Sequence, residues 1–224
     1  RARPRLVHRT WSALSGRILV IEHERQRRLV VGGEVLSAFP IDGDWTGIRR
    51  EYWWHALAGL PLPRRPTALL VGLGGGTQVH LLHHVARPRL VTIVERDPVI
   101  VRVALEWFGL DALGPLEFLV GDAATIAPAL ARAGRRFDFV MEDAAYGDEG
   151  RVSLPLARAL VPLVARGGTV VVNRHLRGDA RAVAAALRPC FATVRVRRVR
   201  REGENVLVCA TEPTVGNHPR GSGL

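Results

Sequence analysis

A glycine-rich turn separates an apolar run from a helical pattern at residues 69–77, LLVGLGGGT. Glycine accepts positive φ and, having no Cβ, lets a ligand approach the backbone closely. The helix that follows begins with free N–H groups, which attract an anionic group. A tight strand–helix turn could also use two of these glycines for its own geometry. The residues predicted to contact a ligand are Gly72, Gly74, Gly75, Gly76 and Thr77.

Acidic residues stand at the ends of the next three apolar runs. Glu95 lies about twenty residues past the turn, where an acid accepts hydrogen bonds from ribose hydroxyls. A short acid after the third run can face an adenine amino group. The pattern predicts a nucleoside-containing cofactor, although Asp97 and Asp122 could serve only as helix caps. The candidate residues at these strand ends are Glu95, Arg96, Asp122, Ala123, Glu142 and Asp143.

Strand and helix patterns alternate from Thr67 onward, which predicts a mostly parallel sheet covered on both faces. The predicted strands are 67–72, 90–95, 116–120, 137–142 and 169–173. The predicted helices are 77–85, 97–108, 122–133, 153–165 and 178–187. The last two runs, FATVRVRRV and ENVLVCAT, are joined by a short turn and are predicted to be antiparallel.

A smaller unit precedes this domain. Residues 17–39 contain three short strand patterns with a Gly32-Gly33 turn, which predicts an antiparallel β unit. Residues 46–59 have helical spacing, and Pro61–Pro66 ends that helix as a linker. The predicted division of the chain is 1–60 for the β unit and connecting helix, 61–212 for the cofactor-binding domain and 213–224 for a flexible tail.

Two cofactor classes fit the glycine turn and Glu95. The pattern G-L-G-G-G-T is not a clean G-x-G-x-x-G, which disfavours NAD. The antiparallel final pair also suits methyltransferase-like sheets better than dehydrogenases. We therefore expect an α/β fold with a Rossmann-like class I methyltransferase sheet, preceded by the small antiparallel unit. The expected cofactor is S-adenosylmethionine or its decarboxylated form.

Composition adds less. The 224 residues carry a formal charge of +11, yet all 32 basic residues are arginine. With the abundance of Ala, Gly, Val and Pro, this indicates GC-rich coding more than a nucleic-acid surface. The arginine-rich segment 195–200 is expected to be a solvated sheet face, with an acidic partner as the alternative.

The sequence predicts no metal or membrane site. Cys190 and Cys209 form no ligand cluster, and His80 and His84 lack a third ligand. No apolar run approaches the ~20 residues that span a bilayer. We expect a cytoplasmic protein that acts on a small amine or another nucleophile, with the N-terminal β unit as a surface for a homodimer.

Several stretches resemble the spermidine synthase family, a branch of the class I S-adenosylmethionine-dependent fold. They are ALLVGLGGGT, VTIVERDPVIVRVALEWFGL, LVGDA and FDFVMEDAAYG, within residues 17–175. G-L-G-G-G-T with E-R-D-P and E-W-F-G is especially similar to spermidine-synthase-like methyltransferases. The resemblance implies that Gly72, Gly74 and Gly76 contact the methionine end and Glu95 the ribose. It implies Asp122 and Ala123 for the adenine, and Asp143 beside the transferred group.

The chain departs from this family where a polyamine would bind. Polyamine-making members carry an acid where this chain has Gly75, and another where it has Tyr146. Their tyrosine and glutamate before the first strand are replaced by Trp53 and His55, with Tyr52 one position away. A polycation needs carboxylates to offset desolvation, and a loop acid would repel the carboxylate of intact S-adenosylmethionine. These departures favour methyl over aminopropyl transfer.

Asp143 is the predicted catalytic acid, because a carboxylate can orient an amine nucleophile and take its proton. Tyr146 is a candidate orienting hydroxyl, whereas Glu142 should face the other side of an alternating strand. Asp143 could instead cap the loop 144–150. Three functions stay open: an amine methyltransferase, a polyamine aminopropyltransferase and a non-catalytic binding domain.

Overall fold

Two β-sheets organise the chain in a computed structural model that describes residues 3–144, 153–175, 177–200 and 204–214. The predicted catalytic Tyr146, the turn 201–203 and the tail from residue 215 lie outside these ranges. The first sheet is antiparallel, in the order β1 (Arg5–Ser12), β2 (Gly16–His23), β3 (Gln26–Val31) and β4 (Glu34–Pro40). The strands of the second sheet are β5 (Thr67–Val71), β6 (Leu90–Glu95), β7 (Leu116–Val120), β8 (Phe137–Glu142), β9 (Val164–Arg174), β10 (Phe191–Arg200) and β11 (Glu204–Pro213).

The seven-stranded sheet has the order β10-β11-β9-β8-β5-β6-β7 and is parallel except at β11. The apolar runs of β5 and β8 lie at its centre, because strands covered on both faces need apolar side chains on both. The strand order reverses between β5 and β8. At such a reversal, the crevice beyond the carboxyl ends binds ligands in open α/β sheets.

Helices cover both faces of this sheet. They are α1 (Tyr52–His55), α2 (Thr77–Ala86), α3 (Pro98–Phe108), α4 (Ala123–Arg132), α5 (Ser153–Leu160) and α6 (Arg177–Leu187). One buried cluster joins the N-terminal sheet with α1, α2 and α3, and the other joins α4, α5 and α6. The N-terminal sheet therefore packs on the face that carries the glycine turn's helix.

Local signals explain where α3 begins and ends. Asp97 Oδ1 accepts a hydrogen bond from the Val99 amide at 2.9 Å, and Pro98 occupies the first turn. Gly109 ends the helix with φ of +65°. Asp97 is thus a helix cap, as its alternative interpretation held.

The predicted fold class and the antiparallel β10–β11 pair are confirmed, and several element bounds differ. The predicted helix 46–59 was wrong, because Glu51 is extended (φ −88°, ψ 159°) and divides it into a 3₁₀ turn (Gly47–Arg50) and the short α1. Strand β1 was not predicted. The helix expected over 153–165 ends at Leu160, and β9 starts earlier than expected, at Val164.

Strand β10 forms one edge of the large sheet and exposes four arginines: Arg195, Arg197, Arg198 and Arg200. Charged side chains on an edge strand hinder pairing with another chain. Across the described ranges, no group of three or more His, Cys, Asp or Glu is arranged to hold a metal ion. None of the helices in that part of the chain is both long enough and apolar enough to cross a membrane.

Candidate active site

The glycine turn and Asp143 meet where β5 and β8 end. The Asp143 amide donates to the carbonyl of Val71 at 2.8 Å, which continues the β5–β8 pairing by one residue. Gly72 has φ of +93°, and a Cβ there would lie 2.5 Å from the carbonyl oxygen of Asp143. Only glycine allows the two strand ends to approach this closely.

The rest of the glycine turn is pressed against β4 and α3. The Gly75 amide donates to Ser37 Oγ at 2.5 Å, and Gly74 also lies against Ser37. A Cβ on Gly75 would lie 2.8 Å from the Phe108 ring, and one on Gly76 would meet Leu110. The loop's shape therefore depends on packing within the protein as well as on any ligand.

Thr77 is engaged with β4. Its hydroxyl accepts a hydrogen bond from the Ala38 amide and donates to the Ala38 carbonyl, both at 3.0 Å. The side chain is buried, at 2% exposure. Thr77 was predicted to contact the cofactor, and in this structure its hydroxyl instead ties the first turn of α2 to the N-terminal sheet.

Glu95 lies beside the glycine turn. One carboxylate oxygen accepts from the Leu73 amide at 3.0 Å, and the other accepts from the Asp97 amide at 2.9 Å. Burial raises the pKa of Glu95, and these backbone donors oppose the rise. The carboxylate thus lies next to the loop, as a ribose-binding acid must. Its neighbour Arg96 is exposed.

Asp122 and Ala123 lie at the end of β7. Asp122 is exposed, and its Oδ1 accepts from the Ala124 amide at 2.8 Å, so it caps α4. Ala123 is half-buried. An apolar cavity adjoins them, lined by the side chains of Phe118, Leu119, Val120, Ile126, Ala129 and Leu130. A planar, largely apolar ring system is compatible with such a cavity.

Asp143 is held by two neutral donors. The hydroxyl of Tyr52 donates to Oδ2 and the Asn173 amide nitrogen donates to Oδ1, each at 2.9 Å. Burial raises the pKa of Asp143 from 3.8 to about 6, although these hydrogen bonds lower it. A carboxylate in this state is ionised at neutral pH and can accept a proton more readily than an exposed aspartate.

The residue before β5 that reaches this acid is Tyr52. Trp53 is 7% exposed and belongs to the hydrophobic core. Burial and the neighbouring Asp143 raise the pKa of the Tyr52 phenol, which keeps it protonated as a donor. The reading of Trp53 as the replacement for the family's tyrosine was therefore wrong: Tyr52 makes the contact from the start of α1.

Glu142 faces the opposite side of β8, as the alternation predicted. It is fully buried and forms a bidentate pair with Arg174, with distances of 2.9 and 2.6 Å. Burial raises the pKa of Glu142, and Arg174 opposes that rise. Arg174 also donates to the Asn173 carbonyl at 2.6 Å, so the pair supports the strand end that carries Asn173.

Asn173 was not recognised from the sequence as a site residue. Its amide nitrogen lies 2.9 Å from Asp143 and 3.0 Å from Asn205 Oδ1, which extends the polar site to β11. The signal was present, because Asn173 is the polar residue that closes the apolar run TVVV at the same sheet edge as the predicted acids. Asn205 on the antiparallel strand offered no such signal.

Comparisons with known proteins agree with this geometry. No protein-family model matches the chain. The mouse "eEF1A lysine and N-terminal methyltransferase" is 30% identical over 185 residues, which cover 73% of this chain and 26% of that protein. A "Polyamine aminopropyltransferase" from Vibrio vulnificus is 29% identical over 166 residues, covering 70% and 55% of the two chains. The chain thus spans about a quarter of the length of the first relative and about half that of the second.

Solved structures share the fold. Spermidine synthase from Thermotoga maritima matches with a TM-score of 0.71 and 15% identity, over 92% of this chain and 72% of that one. Human methyltransferase-like protein 13 in complex with SAH matches with a TM-score of 0.61 and 24% identity, over 77% and 83% of the two chains. The chain therefore has the spermidine-synthase-like, class I methyltransferase fold, and its homologues are methyltransferases and a polyamine aminopropyltransferase.

Proposed function

We propose that this chain is an S-adenosylmethionine-dependent methyltransferase that methylates an amine. The observation that carries the proposal is Asp143, held by Tyr52 and Asn173 beside the glycine turn at the reversal of strand order. The names of the mammalian relatives, which describe lysine and N-terminal methylation, support an amine acceptor.

The residues at this edge fit the cofactor. Glu95 offers a carboxylate 3.0 Å from the Leu73 amide, in the place suited to ribose hydroxyls. The apolar cavity at Val120 and Ile126 suits the adenine. Gly72 leaves the backbone open between the ribose side and Asp143. We propose that Glu95, the glycine turn and the end of β7 hold the cofactor in this order.

Chemistry at this site requires alignment and a proton acceptor. When bound, S-adenosylmethionine supplies a methyl group on a sulfonium, so the carbon needs no further activation. Asp143 accepts a hydrogen bond from the acceptor amine and orients its lone pair toward that carbon. As the nitrogen–carbon bond forms and the carbon–sulfur bond breaks, the amine's proton passes to Asp143 and then to solvent. Tyr52 and Asn173 keep the carboxylate in position.

Aminopropyl transfer is the second candidate, because one relative is named a polyamine aminopropyltransferase. Gly75 argues against it. Polyamine-making members of the resembling family carry an acid at this position, and here a Cβ would lie 2.8 Å from Phe108 and 3.0 Å from Ser37. The loop as packed leaves no space for that acid, which would hold the ammonium end of the decarboxylated cofactor.

Titration calorimetry with both donors tests the proposal. We expect S-adenosylmethionine to bind at least about tenfold more tightly than its decarboxylated form, a free-energy difference of about 1.4 kcal/mol. Methyl transfer is then measured with peptides that offer a free N-terminus or a lysine. Asp143→Asn should lower the rate by about 10²- to 10⁴-fold, the usual contribution of a general base.

A matched control is Asp111→Asn, which alters an exposed acid on the 3₁₀ turn after α3. It should retain the wild-type rate. Clear preference for the decarboxylated donor, with aminopropyl transfer to an amine, would establish the second candidate instead. If Asp143→Asn leaves a detected transfer unaffected, the non-catalytic role in assembly or RNA contact gains support.

A further inference from the structure

Gln78 is a buried amide without a hydrogen-bond partner. It is the second residue of α2 and is 7% exposed. Both its Oε1 and its Nε2 are buried, and neither has a partner in the described part of the chain. Buried side-chain amides nearly always form hydrogen bonds, and leaving both ends unmade is destabilising. Such a residue calls for a ligand that satisfies it.

The position of Gln78 on α2 places it at the proposed cofactor crevice. Gln78 precedes Leu82 by one helical turn and Val85 by two, so the three share a face. Val85 lines a groove with Trp54 and Leu57, which shows that this face is turned toward the α1 segment. Because α2 begins at the glycine turn and α1 begins at Tyr52, the first turn of α2 lies near the edge that carries Asp143.

The chemistry of an amide matches one end of the cofactor. The amino-acid end of intact S-adenosylmethionine has a carboxylate, which accepts hydrogen bonds, and an ammonium, which donates them. Glutamine offers two N–H donors and a carbonyl acceptor on the same group. The decarboxylated form has the ammonium alone and would leave Nε2 unpaired.

We infer that Gln78 binds the amino-acid end of S-adenosylmethionine, with Nε2 donating to the carboxylate and Oε1 accepting from the ammonium, and that it selects the intact donor. This inference rests on the proposed methyl transfer. The charges nearby agree with it, since α2 has no acidic residue in its first turn to repel a carboxylate. The helix N-terminus itself favours negative charge.

Two variants test the inference by calorimetry. Gln78→Met keeps the approximate volume and removes both polar atoms. We expect it to weaken S-adenosylmethionine about tenfold to a hundredfold, since hydrogen bonds to charged groups are lost. Without donor, this variant should melt at a higher temperature than wild type, because its side chain carries no unmade hydrogen bonds.

Gln78→Glu places a carboxylate opposite the donor's carboxylate while keeping an acceptor for its ammonium. It should weaken S-adenosylmethionine and bind the decarboxylated form at least as tightly as wild type, so that the ratio of the two dissociation constants moves by more than about tenfold. Gln26→Met is the control, because Gln26 pairs with Arg28 in the N-terminal sheet. It should leave both constants unchanged.

The outcomes separate this inference from the proposed function. If wild type binds neither donor, the proposed function fails. If wild type binds S-adenosylmethionine and both Gln78 variants bind it within about twofold of wild type, only the role of Gln78 is overturned. Should Gln78→Met fail to fold, the donor ratio of Gln78→Glu decides alone.

Discussion

The hydroxyl of Tyr52 donates to Oδ2 of Asp143 at 2.9 Å, across 91 positions of sequence. Tyr52 belongs to the segment between the two sheets, whereas Asp143 closes a central strand of the larger one. This contact brings a donor from outside the parallel sheet to the acid at its centre. The proposed catalytic group is therefore completed by the N-terminal part of the chain.

The pH dependence of transfer should report on this contact. With a pKa of about 6, Asp143 is ionised at pH 8 and protonated below pH 6, so kcat should fall as the pH drops through that value. Tyr52→Phe removes a donor that stabilises the carboxylate, which should move the acid limb upward by about one pH unit. Trp54→Phe, whose ring contacts Arg49, should leave the limb in place. An unchanged profile in Tyr52→Phe would contradict the role of Tyr52.

Asp143→Asn should stabilise the fold while it abolishes transfer. The folded-state pKa of Asp143 is raised, so its contribution to stability is full below pH 3.8 and is lost as the pH rises through about 6. At pH 8 the neutral amide should relieve about 1 to 3 kcal/mol, and at pH 4 almost nothing. Urea unfolding of both proteins at the two pH values measures this. A variant less stable at pH 8 than wild type would show that the carboxylate is needed for folding.

The buried pair of Glu142 and Arg174 should be expensive to break from one side. Glu142→Gln leaves the Arg174 guanidinium, 6% exposed, without its counter-charge, and should cost about 3 to 5 kcal/mol. The double variant Glu142→Leu with Arg174→Met should lose less than either single change. A double-mutant cycle from chemical unfolding measures the coupling. Additive losses would mean that the two side chains do not stabilise each other.

The glycine turn should tolerate substitution according to the space around each Cβ. Gly75→Ala would place its Cβ 2.8 Å from Phe108 and should cost about 1 to 3 kcal/mol. Gly114→Ala meets only His83, at 3.6 Å, and should change stability by less than about 0.5 kcal/mol. Thermal unfolding of the pair tests this. Equal stability of the two variants would show that the loop can move away from α3.

Much of the fold could be predicted from periodicity. The five parallel strands are short apolar runs between helical patterns, and Asp97-Pro98 marks a helix start by its chemistry alone. Failures came where tertiary contacts override local pattern. Residues 46–59 have helical spacing, yet Glu51 is extended and the helix is interrupted. Strand β1 carries mixed polar and apolar residues, and its pairing with β2 gives it its structure.

The site was predicted in part for the same reason. Gly72, Glu95 and Asp143 could be placed together because strand ends of a parallel sheet share one edge. Tyr52, Asn173 and Gln78 could not, since each owes its place to packing between elements. Asp122 shows the opposite case, where a predicted ligand residue caps a helix. Cofactor contacts, the domain division, the homodimer and the cellular location stay predictions.

Strand β4 holds the amide of Gly75 through Ser37 and the hydroxyl of Thr77 through Ala38. The donor loop is therefore shaped by a mould that lies in a different sheet and was synthesised earlier. An excised sheet beginning near residue 61 would retain every glycine of the motif but lack the surface on which the motif sets. Chimeras that exchange the parallel domain between homologues should consequently carry β4 across as part of the transplant.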